Sequence, residues 1–255
     1  MTDSRAVLDR PAPPPDATVR YGAGPEQVAD LRAGGEEQRP LLIVVHGGFW
    51  RAAWDRTHTG PLAADLAARG YPVAQVEYRR TGQPGGGWPG TFDDLTAAVA
   101  ALPALAQAAG LRVAPGPPVL LGHSAGGHLA LWYAQSGAPA PRAVLALAPV
   151  ADLETAYQMD LDEGAVAALL DGGPQERPER YRRADPMLLP APNCPVTVVH
   201  GDADAQVPVE LSRRYAARTA RARLAELPGV NHFAVIDPES SAWPVVTSEL
   251  HSLFR

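Results

Sequence analysis

The stretch Val119-Leu-Leu-Gly122-His123-Ser124-Ala125-Gly126-Gly127 carries the strongest structural signal in this chain of 255 residues. It places the pattern G-x-S-x-G directly after a short apolar run and directly before a segment typical of a helix. Such a strand-to-helix turn is so tight that glycines 122 and 126 are needed where side chains would collide. The serine backbone is strained there, and its hydroxyl stands above the sheet edge at a helix N-terminus. The stretch therefore predicts Ser124 as a nucleophile.

Strand and helix patterns alternate on both sides of this turn. Apolar runs and period-2 patterns predict strands at 18–21, 27–31, 41–45, 73–77, 119–121, 143–148, 196–200 and 223–227. Helices are predicted between them at 62–69, 91–109, 125–135, 209–218 and 243–253. This alternation implies an α/β fold with a mostly parallel central sheet and helices on both faces.

Two segments fall outside this alternation. Residues 1–16 are rich in proline, so we expect a disordered arm there, followed by a single domain at 17–255. Residues 150–192 separate two predicted strands and are too long for a simple crossover. Within them, Ala165–Leu170 are predicted to form a short helix and residues 176–183 a charged one. We interpret the segment as a small lid insertion over the carboxyl edge of the sheet, where ligands bind in such folds. The alternative is an ordinary helix between long loops.

A second glycine turn, Val45-His46-Gly47-Gly48-Phe49-Trp50, follows another buried strand. Acyl transfer passes through a tetrahedral oxyanion, which backbone N–H groups stabilise when they point at it. We therefore predict an oxyanion hole formed by Gly47, Gly48 and Phe49 together with the N–H of Ala125, with Gly48 and Phe49 as the preferred turn donors. The alternative is that the two glycines only make a tight exit from the strand.

A serine becomes a good nucleophile when an adjacent imidazole takes its proton. Four histidines follow Ser124 in the chain. His128, His200 and His251 are expected to be packing, loop and surface residues, respectively. His232 lies in a loop directly after a predicted strand, so it is the predicted base.

An acidic residue must orient that base, and in this fold it lies between the serine and the histidine in the chain. Two aspartates compete in the segment H-G-D-A-D-A-Q-V-P at 200–208. Asp202 is placed to cap the turn itself. Asp204 lies further into the loop, just before the next helix, and is the predicted acid.

Aromatic and charged residues are expected near the same edge of the sheet. Phe49, Trp50, Trp54 and Trp88 lie in loops there and can form an aromatic wall for a substrate. Trp50 and Trp88 are the predicted substrate-binding residues, whereas Trp54 is expected only to pack loops together. Charged candidates, each equally compatible with a structural role, are Arg51, Asp55, Arg56, Arg79 and Arg80.

The composition of the chain limits which cellular compartments and which classes of partner are expected. The net charge is −6 with no basic block, which argues against nucleic acid and anionic membranes as partners. The single cysteine, Cys194, excludes an intramolecular disulfide and fits a reducing compartment. No apolar secretion segment begins the chain, so we expect a soluble, cytoplasmic protein. Sequence leaves the oligomeric state open, a homodimer included.

The quoted segments, with the late Asn231-His232-Phe233, resemble the α/β-hydrolase superfamily over about residues 18–255. H-G-G-F-W followed by G-H-S-A-G-G-H is most similar to the kynurenine formamidase (arylformamidase) group. The resemblance implies hydrolysis of N-formyl-kynurenine, or a similar small ester or amide, by Ser124, Asp204 and His232 with no metal or cofactor. Carboxylesterases related to hormone-sensitive lipase share the oxyanion turn, although they more often have a third glycine where this chain has Phe49.

Two further alternatives concern what the scaffold does. A peptidase of the prolyl-oligopeptidase type is weaker, because such enzymes usually carry a gating domain for which this chain leaves no room. A non-catalytic ligand-binding protein on the same scaffold is the alternative from another class, since a fold does not determine a function.

Overall fold

A computed structural model describes residues 5–254 of the chain. Within them, eight strands form one sheet. The strands are β1 (Ala17–Arg20), β2 (Val28–Arg32), β3 (Leu42–Val45), β4 (Val73–Val76), β5 (Val119–His123), β6 (Ala143–Leu147), β7 (Val196–Gly201) and β8 (Ala222–Leu227).

The order of strands in the sheet is β1-β2-β4-β3-β5-β6-β7-β8. β1 and β2 are antiparallel to their neighbours, whereas β4, β3, β5, β6, β7 and β8 run parallel. In the register of β3 against β5, Val45 pairs with Gly122. The turn after β3 therefore lies directly beside the turn after β5, at the carboxyl edge of the sheet.

Helices cover both faces of the sheet. They are α1 (Gly60–Ala68), α2 (Gly90–Ala108), α3 (Ala125–Gln135), α4 (Leu153–Gln158), α5 (Ala165–Leu170), α6 (Pro178–Ala184), α7 (Glu210–Arg218) and α8 (Trp243–Leu253). Alternate residues of β3 enter two separate cores, because side chains of a strand point alternately to opposite faces. Ile43 and Val45 pack in the core that contains residues of α2, α3 and α7, whereas Leu42 and Val44 pack with residues of α1 and α8.

The predicted α/β fold is confirmed, and each predicted strand has a counterpart within one or two residues. Helix α4 was not predicted. It has only six residues and begins where the Asp152 side chain accepts a hydrogen bond from the N–H of Thr155. Its six residues mix polar and apolar types without a periodic pattern, whereas α5, a helix of the same length, is a continuous apolar run and was predicted. Within residues 5–254, no helix combines the length and the hydropathy needed to cross a bilayer.

The structure corrects the prediction of a disordered arm for residues 5–16, which are packed against the domain. Ala6–Leu8 form a 3₁₀ turn, and Val7 is buried against the core below α1 and α8. Arg10 forms an ion pair with Asp237, and the Pro14 carbonyl accepts a hydrogen bond from Arg32. The prolines suppress regular structure but do not prevent packing, because side-chain contacts tie the segment down. Residues 1–4 lie outside the described residues.

Candidate active site

Ser124 occupies the sharp turn between β5 and α3. Its φ of 56° and ψ of −117° are unusual for a non-glycine residue. A Cβ on Gly122 would lie 2.2 Å from the carbonyl oxygen of Gly126, and one on Gly126 would lie 2.1 Å from that of Val45. Glycine at both positions therefore lets the strand, the helix and the neighbouring turn approach closely enough to hold Ser124 in this conformation.

His232 and Asp204 form a short hydrogen bond. The distance from His232 Nδ1 to Asp204 Oδ2 is 2.6 Å, and a carboxylate can only accept, so Nδ1 carries the proton. The other carboxylate oxygen, Oδ1, accepts from the N–H groups of Gln206 and Val207, each at 2.8 Å. Burial alone would raise the pKa of Asp204, but hydrogen bonds from His200 and His232 hold it well below its usual range. Asp204 is therefore an ionised acceptor that fixes the ring of His232.

The competing acid, Asp202, and the side chains of His128 and His251 lie away from Ser124. The Asp202 carboxylate accepts from the N–H of Gly229 at 2.6 Å and so joins two loops. His128 is buried and bonds the carbonyl of Ala184, while His251 is exposed on α8. Cys194 is buried, and burial raises the pKa of its thiol to about 11.

The turn after β3 has three consecutive residues with positive φ: Gly48 at 100°, Phe49 at 48° and Trp50 at 58°. A Cβ on Gly47 would lie 2.9 Å from Ser124 Cβ, so the backbone of this turn touches the serine. On the opposite side, Ala125 is the first residue of α3. The first N–H groups of a helix have no acceptor within the helix. The turn and the helix thus present backbone to the two sides of Ser124.

A buried ionic cluster, which the sequence did not reveal, holds this turn. His46 Nε2 lies 2.8 Å from Glu77 Oε1, and His46 Nδ1 lies 2.8 Å from the carbonyl oxygen of Gly47. Glu77 also faces Arg80 at 3.3 Å and accepts from the N–H of Arg56. Burial alone would raise the pKa of Glu77, but His46 and Arg80 hold it below its usual value. The sequence signal that could have indicated this cluster is a single carboxylate, Glu77, at the end of an otherwise largely apolar predicted strand.

Ser124 and His232 line one cleft with a volume of about 90 Å³. Its lining residues are Arg5, Leu8, Gly48, Phe49, Trp54, His58, His123, Ser124, Asp162, Gln206, His232 and Phe233. Burial lowers the pKa of His58 to about 4, so this wall residue is neutral at pH 7. The aromatic surface of the cleft comes from Phe49, Trp54 and Phe233.

The structure corrects the prediction that Trp50 and Trp88 bind the substrate, since neither lines this cleft. Trp50 is fully buried, and its ring packs edge-on against His128. Trp88 packs against Phe92 and under the guanidinium of Arg183. Trp54, expected only to pack loops, is 41% exposed and contributes to the cleft.

The charged candidates also lie outside the lining of the cleft. Asp55 caps the 3₁₀ turn that follows it. The four arginines form ion pairs: Arg51 with Asp162, Arg56 with Asp30, Arg79 with Asp94 and Arg80 with Glu77. Among residues 5–254, no group of three His, Cys, Asp or Glu side chains is placed to hold a metal ion.

Comparison with known proteins identifies relatives of this chain. The sequence is 27% identical to Esterase LipC of Mycobacterium tuberculosis over 91% of this chain, and it spans 64% of that relative's length. A truncated carbohydrate esterase from gut microbiota superposes with a TM-score of 0.77 at 20% identity, over 93% of this chain and 96% of the other. Esterase B from Lactobacillus Rhamnosis (HN001) also gives 0.77, at 21% identity, over 98% of this chain and 89% of the other.

These structural likenesses concern the fold, which is that of the α/β-hydrolases. The family assignment rests on the sequence itself. The BD-FAE family matches residues 30–218, well over half of the chain. The chain therefore belongs to the BD-FAE family.

Proposed function

We propose that this protein is a serine hydrolase that cleaves a small ester through an acyl-enzyme on Ser124. The observation that carries the proposal is the 2.6 Å bond between His232 and Asp204, on a histidine that faces the same cleft as Ser124. The relatives support the same chemistry, since Esterase LipC and both solved structures are named as esterases.

In the proposed first step, Ser124 Oγ attacks the ester carbonyl carbon while its proton passes to Nε2 of His232. The carbonyl oxygen becomes an oxyanion that accepts hydrogen bonds from the N–H of Ala125 and from the turn at Gly48 and Phe49. Loss of one such donor typically costs about 3 kcal/mol of transition-state stabilisation. Asp204 holds the ring of His232 and stabilises the imidazolium that forms.

The intermediate then collapses and expels the alcohol, which takes the proton from His232. A water molecule enters, gives a proton to His232 and attacks the acyl carbon, and the acid leaves as Ser124 regains its proton. Besides the substrate and one water molecule, these steps use Ser124, His232, Asp204 and backbone N–H groups.

The walls of the cleft favour a compact substrate with an apolar or aromatic part. Phe49, Trp54 and Phe233 offer ring surface, and Leu8 adds an aliphatic side chain. An aryl formamide such as N-formyl-kynurenine undergoes the same acyl transfer, with an amine in place of the alcohol as leaving group. The resemblance of the two glycine motifs favours this substrate.

We further propose that residues 150–192 act as a partial lid. They contain α4, α5 and α6. Asp162 lines the cleft and binds Arg51, which lies in the loop after the oxyanion turn, with 2.5 Å between the charged atoms. These two contacts of Asp162 support a role of the segment in shaping access to Ser124.

The test is kcat/KM for p-nitrophenyl acetate and for N-formyl-kynurenine, measured on wild type, Ser124→Ala and Ser136→Ala. Ser136 caps the other end of α3 and is exposed, so its variant is a matched control that should keep full activity. Ser124→Ala should lose at least about 10³-fold in kcat/KM. A fluorophosphonate probe should label wild type at Ser124.

The two substrates separate the finer assignments. Cleavage of the ester alone identifies a carboxylesterase, and a strong preference for the formamide identifies an arylformamidase. If neither substrate is cleaved and the probe forms no adduct at Ser124, the proposal is wrong and the ligand-binding alternative replaces it.

A further inference from the structure

A second histidine contacts the carboxylate that orients His232. His200 lies near the end of β7 with its side chain fully buried. Its Nε2 is 3.1 Å from Asp204 Oδ2, the same oxygen that His232 contacts. Nε2 is also 3.0 Å from the carbonyl oxygen of Val207. Two imidazoles therefore converge on one carboxylate oxygen.

The hydrogen atoms of this cluster can be assigned from its acceptors. A carboxylate and a carbonyl only accept, so Nε2 of His200 carries a proton. On the other side of the ring, Nδ1 lies 2.7 Å from Oγ of Ser212, a buried residue of α7. In the neutral tautomer that carries its proton on Nε2, Nδ1 is an acceptor, so the serine hydroxyl donates to it. The hydrogen bonds thus run in one direction, from Ser212 through His200 to Asp204.

Oδ2 would be less constrained without His200. The N–H groups of Gln206 and Val207 hold only Oδ1, which leaves rotation about the Cβ–Cγ bond of Asp204 as a soft coordinate. The N–H of His200 restricts that rotation and directs the remaining lone pair of Oδ2 towards His232. Hydrogen bonds to a charged group are among the stronger ones in proteins.

We propose that His200 is a positioning residue for the hydrolytic reaction, acting through Asp204 on the orientation of His232, with Ser212 selecting its tautomer. The proposal rests on the proposed function, since it assigns His232 as the base. The competing view is that His200 only fills space in the core between β7 and α7.

Two substitutions of His200 separate these views. His200→Leu fills most of the volume but removes the donor, whereas the side-chain amide of His200→Gln can place an N–H near the position of Nε2. For p-nitrophenyl acetate, we expect His200→Leu to lower kcat about tenfold with KM changed by less than about twofold. His200→Gln should recover most of the lost kcat. Thr197→Val, a buried substitution in the same strand, is the control for packing and should keep wild-type kcat.

A spectroscopic readout reports on the same contact. The proton between His232 Nδ1 and Asp204 should give a far-downfield NMR resonance, which should move in His200→Leu and return in His200→Gln. If His200→Leu keeps kcat within about twofold of wild type, or if His200→Gln is as impaired as His200→Leu, positioning by the N–H is wrong.

A third variant covers the case in which His200→Leu does not fold. Ser212→Ala keeps the imidazole and removes only the hydroxyl donor, so we expect a smaller fall in kcat, about threefold, with a shift of the same resonance. A folded Ser212→Ala enzyme with wild-type kcat and an unmoved resonance overturns the proposal. If wild type cleaves no ester and Ser124 is not labelled, the proposed function fails instead, and the resonance still tests whether His200 acts on Asp204.

Discussion

Strained backbone conformations occur at the proposed nucleophile and in the turn beside it. Ser124, Phe49 and Trp50 all have positive φ, which costs a non-glycine residue of order 1–3 kcal/mol. Such conformations persist only where the surrounding structure holds them in place. Here the buried pair of His46 and Glu77 holds one turn, and the close packing of β5 against α3 holds the other.

The two aspartates of the loop after β7 offer a sharp contrast between residues. Asp204→Asn should lower kcat for p-nitrophenyl acetate by about 10⁴-fold, because an amide can present its NH₂ to His232 and favour the wrong tautomer. Asp202→Asn keeps an acceptor for the N–H of Gly229 and should stay close to wild type. The opposite ranking in steady-state kinetics would reassign the acid to Asp202.

At the scale of elements, two segments from distant parts of the chain frame the cleft. Arg5 and Leu8 come from the N-terminal 3₁₀ turn, and the guanidinium of Arg5 lies 5.7 Å from the ring centroid of Phe233. Asp162 comes from the insertion between β6 and β7. The sheet edge supplies the reacting groups, and these two segments supply walls.

Leu8→Ala tests the N-terminal wall. Removing this aliphatic surface should raise KM for p-nitrophenyl butyrate about threefold to tenfold, at about 0.8 kcal/mol per lost CH₂ contact, with little effect on p-nitrophenyl acetate. Its neighbour Val7 packs into the core instead, so Val7→Ala should lower Tm and leave both KM values unchanged. Equal KM values for Leu8→Ala and wild type with the butyrate would remove this segment from the substrate site.

Asp162→Asn tests the proposed lid. The pair with Arg51 is about one-third exposed on each side, so it should add little stability, within about 1 kcal/mol. We expect an unchanged Tm but a KM for p-nitrophenyl butyrate altered by at least about twofold, since the contact between the insertion and the oxyanion loop loses its ion pair. The hydrogen bonds from Arg51 to the backbone carbonyls of Asp162 and Glu163 remain in this variant. Asp171→Asn breaks an exposed pair with Arg177 in the same insertion and is the matched control. Identical kinetics for both variants and wild type argue against the lid.

At the scale of the whole molecule, carboxylates whose pKa differs between the folded and unfolded states make the stability depend on pH. The folded-state pKa of Glu77, Asp204 and Asp237 lies below the usual value of each group. A depressed carboxyl pKa contributes stability that is present above the unfolded pKa of about 4 and is lost as pH falls through the folded pKa. Burial raises the pKa of Asp185 to about 6, so its contribution has the opposite sign between about pH 4 and 6.

A variant of Glu77 measures how much this one residue contributes to the pH dependence of stability. Glu77→Gln leaves His46 and Arg80 without their buried carboxylate, which should lower the free energy of unfolding at pH 7 by about 3–5 kcal/mol. The difference from wild type should shrink in denaturant melts below about pH 4, where Glu77 itself becomes protonated. Glu179→Gln, at an exposed pair on α6, should show no such loss. A Glu77→Gln difference that stays constant from pH 7 to pH 3 would contradict this account.

Local patterns in the sequence were enough to predict the strands, most helices and the turn at Ser124. A strand buried on both faces is a continuous apolar run, and a G-x-S-x-G turn has few conformations. Both are decided within about ten residues of chain, and the order of serine, acid and histidine follows from the fold. The pairing of His232 with Asp204 rather than Asp202 agrees with the loop position of Asp204.

Only the tertiary structure decided which side chains meet. Trp50 lies in the core whereas Trp54, four residues later, is 41% exposed, and no periodicity in the sequence encodes this. The N-terminal segment reaches the cleft through contacts with residues more than 200 positions away, such as Asp237. His200 bonds within its loop as predicted, to Asp204 and to the carbonyl of Val207, but its contact with the α7 hydroxyl of Ser212 was not predicted. Contacts between distant residues depend on how the elements pack, so sequence supplied the scaffold and its motifs, and packing supplied the partners.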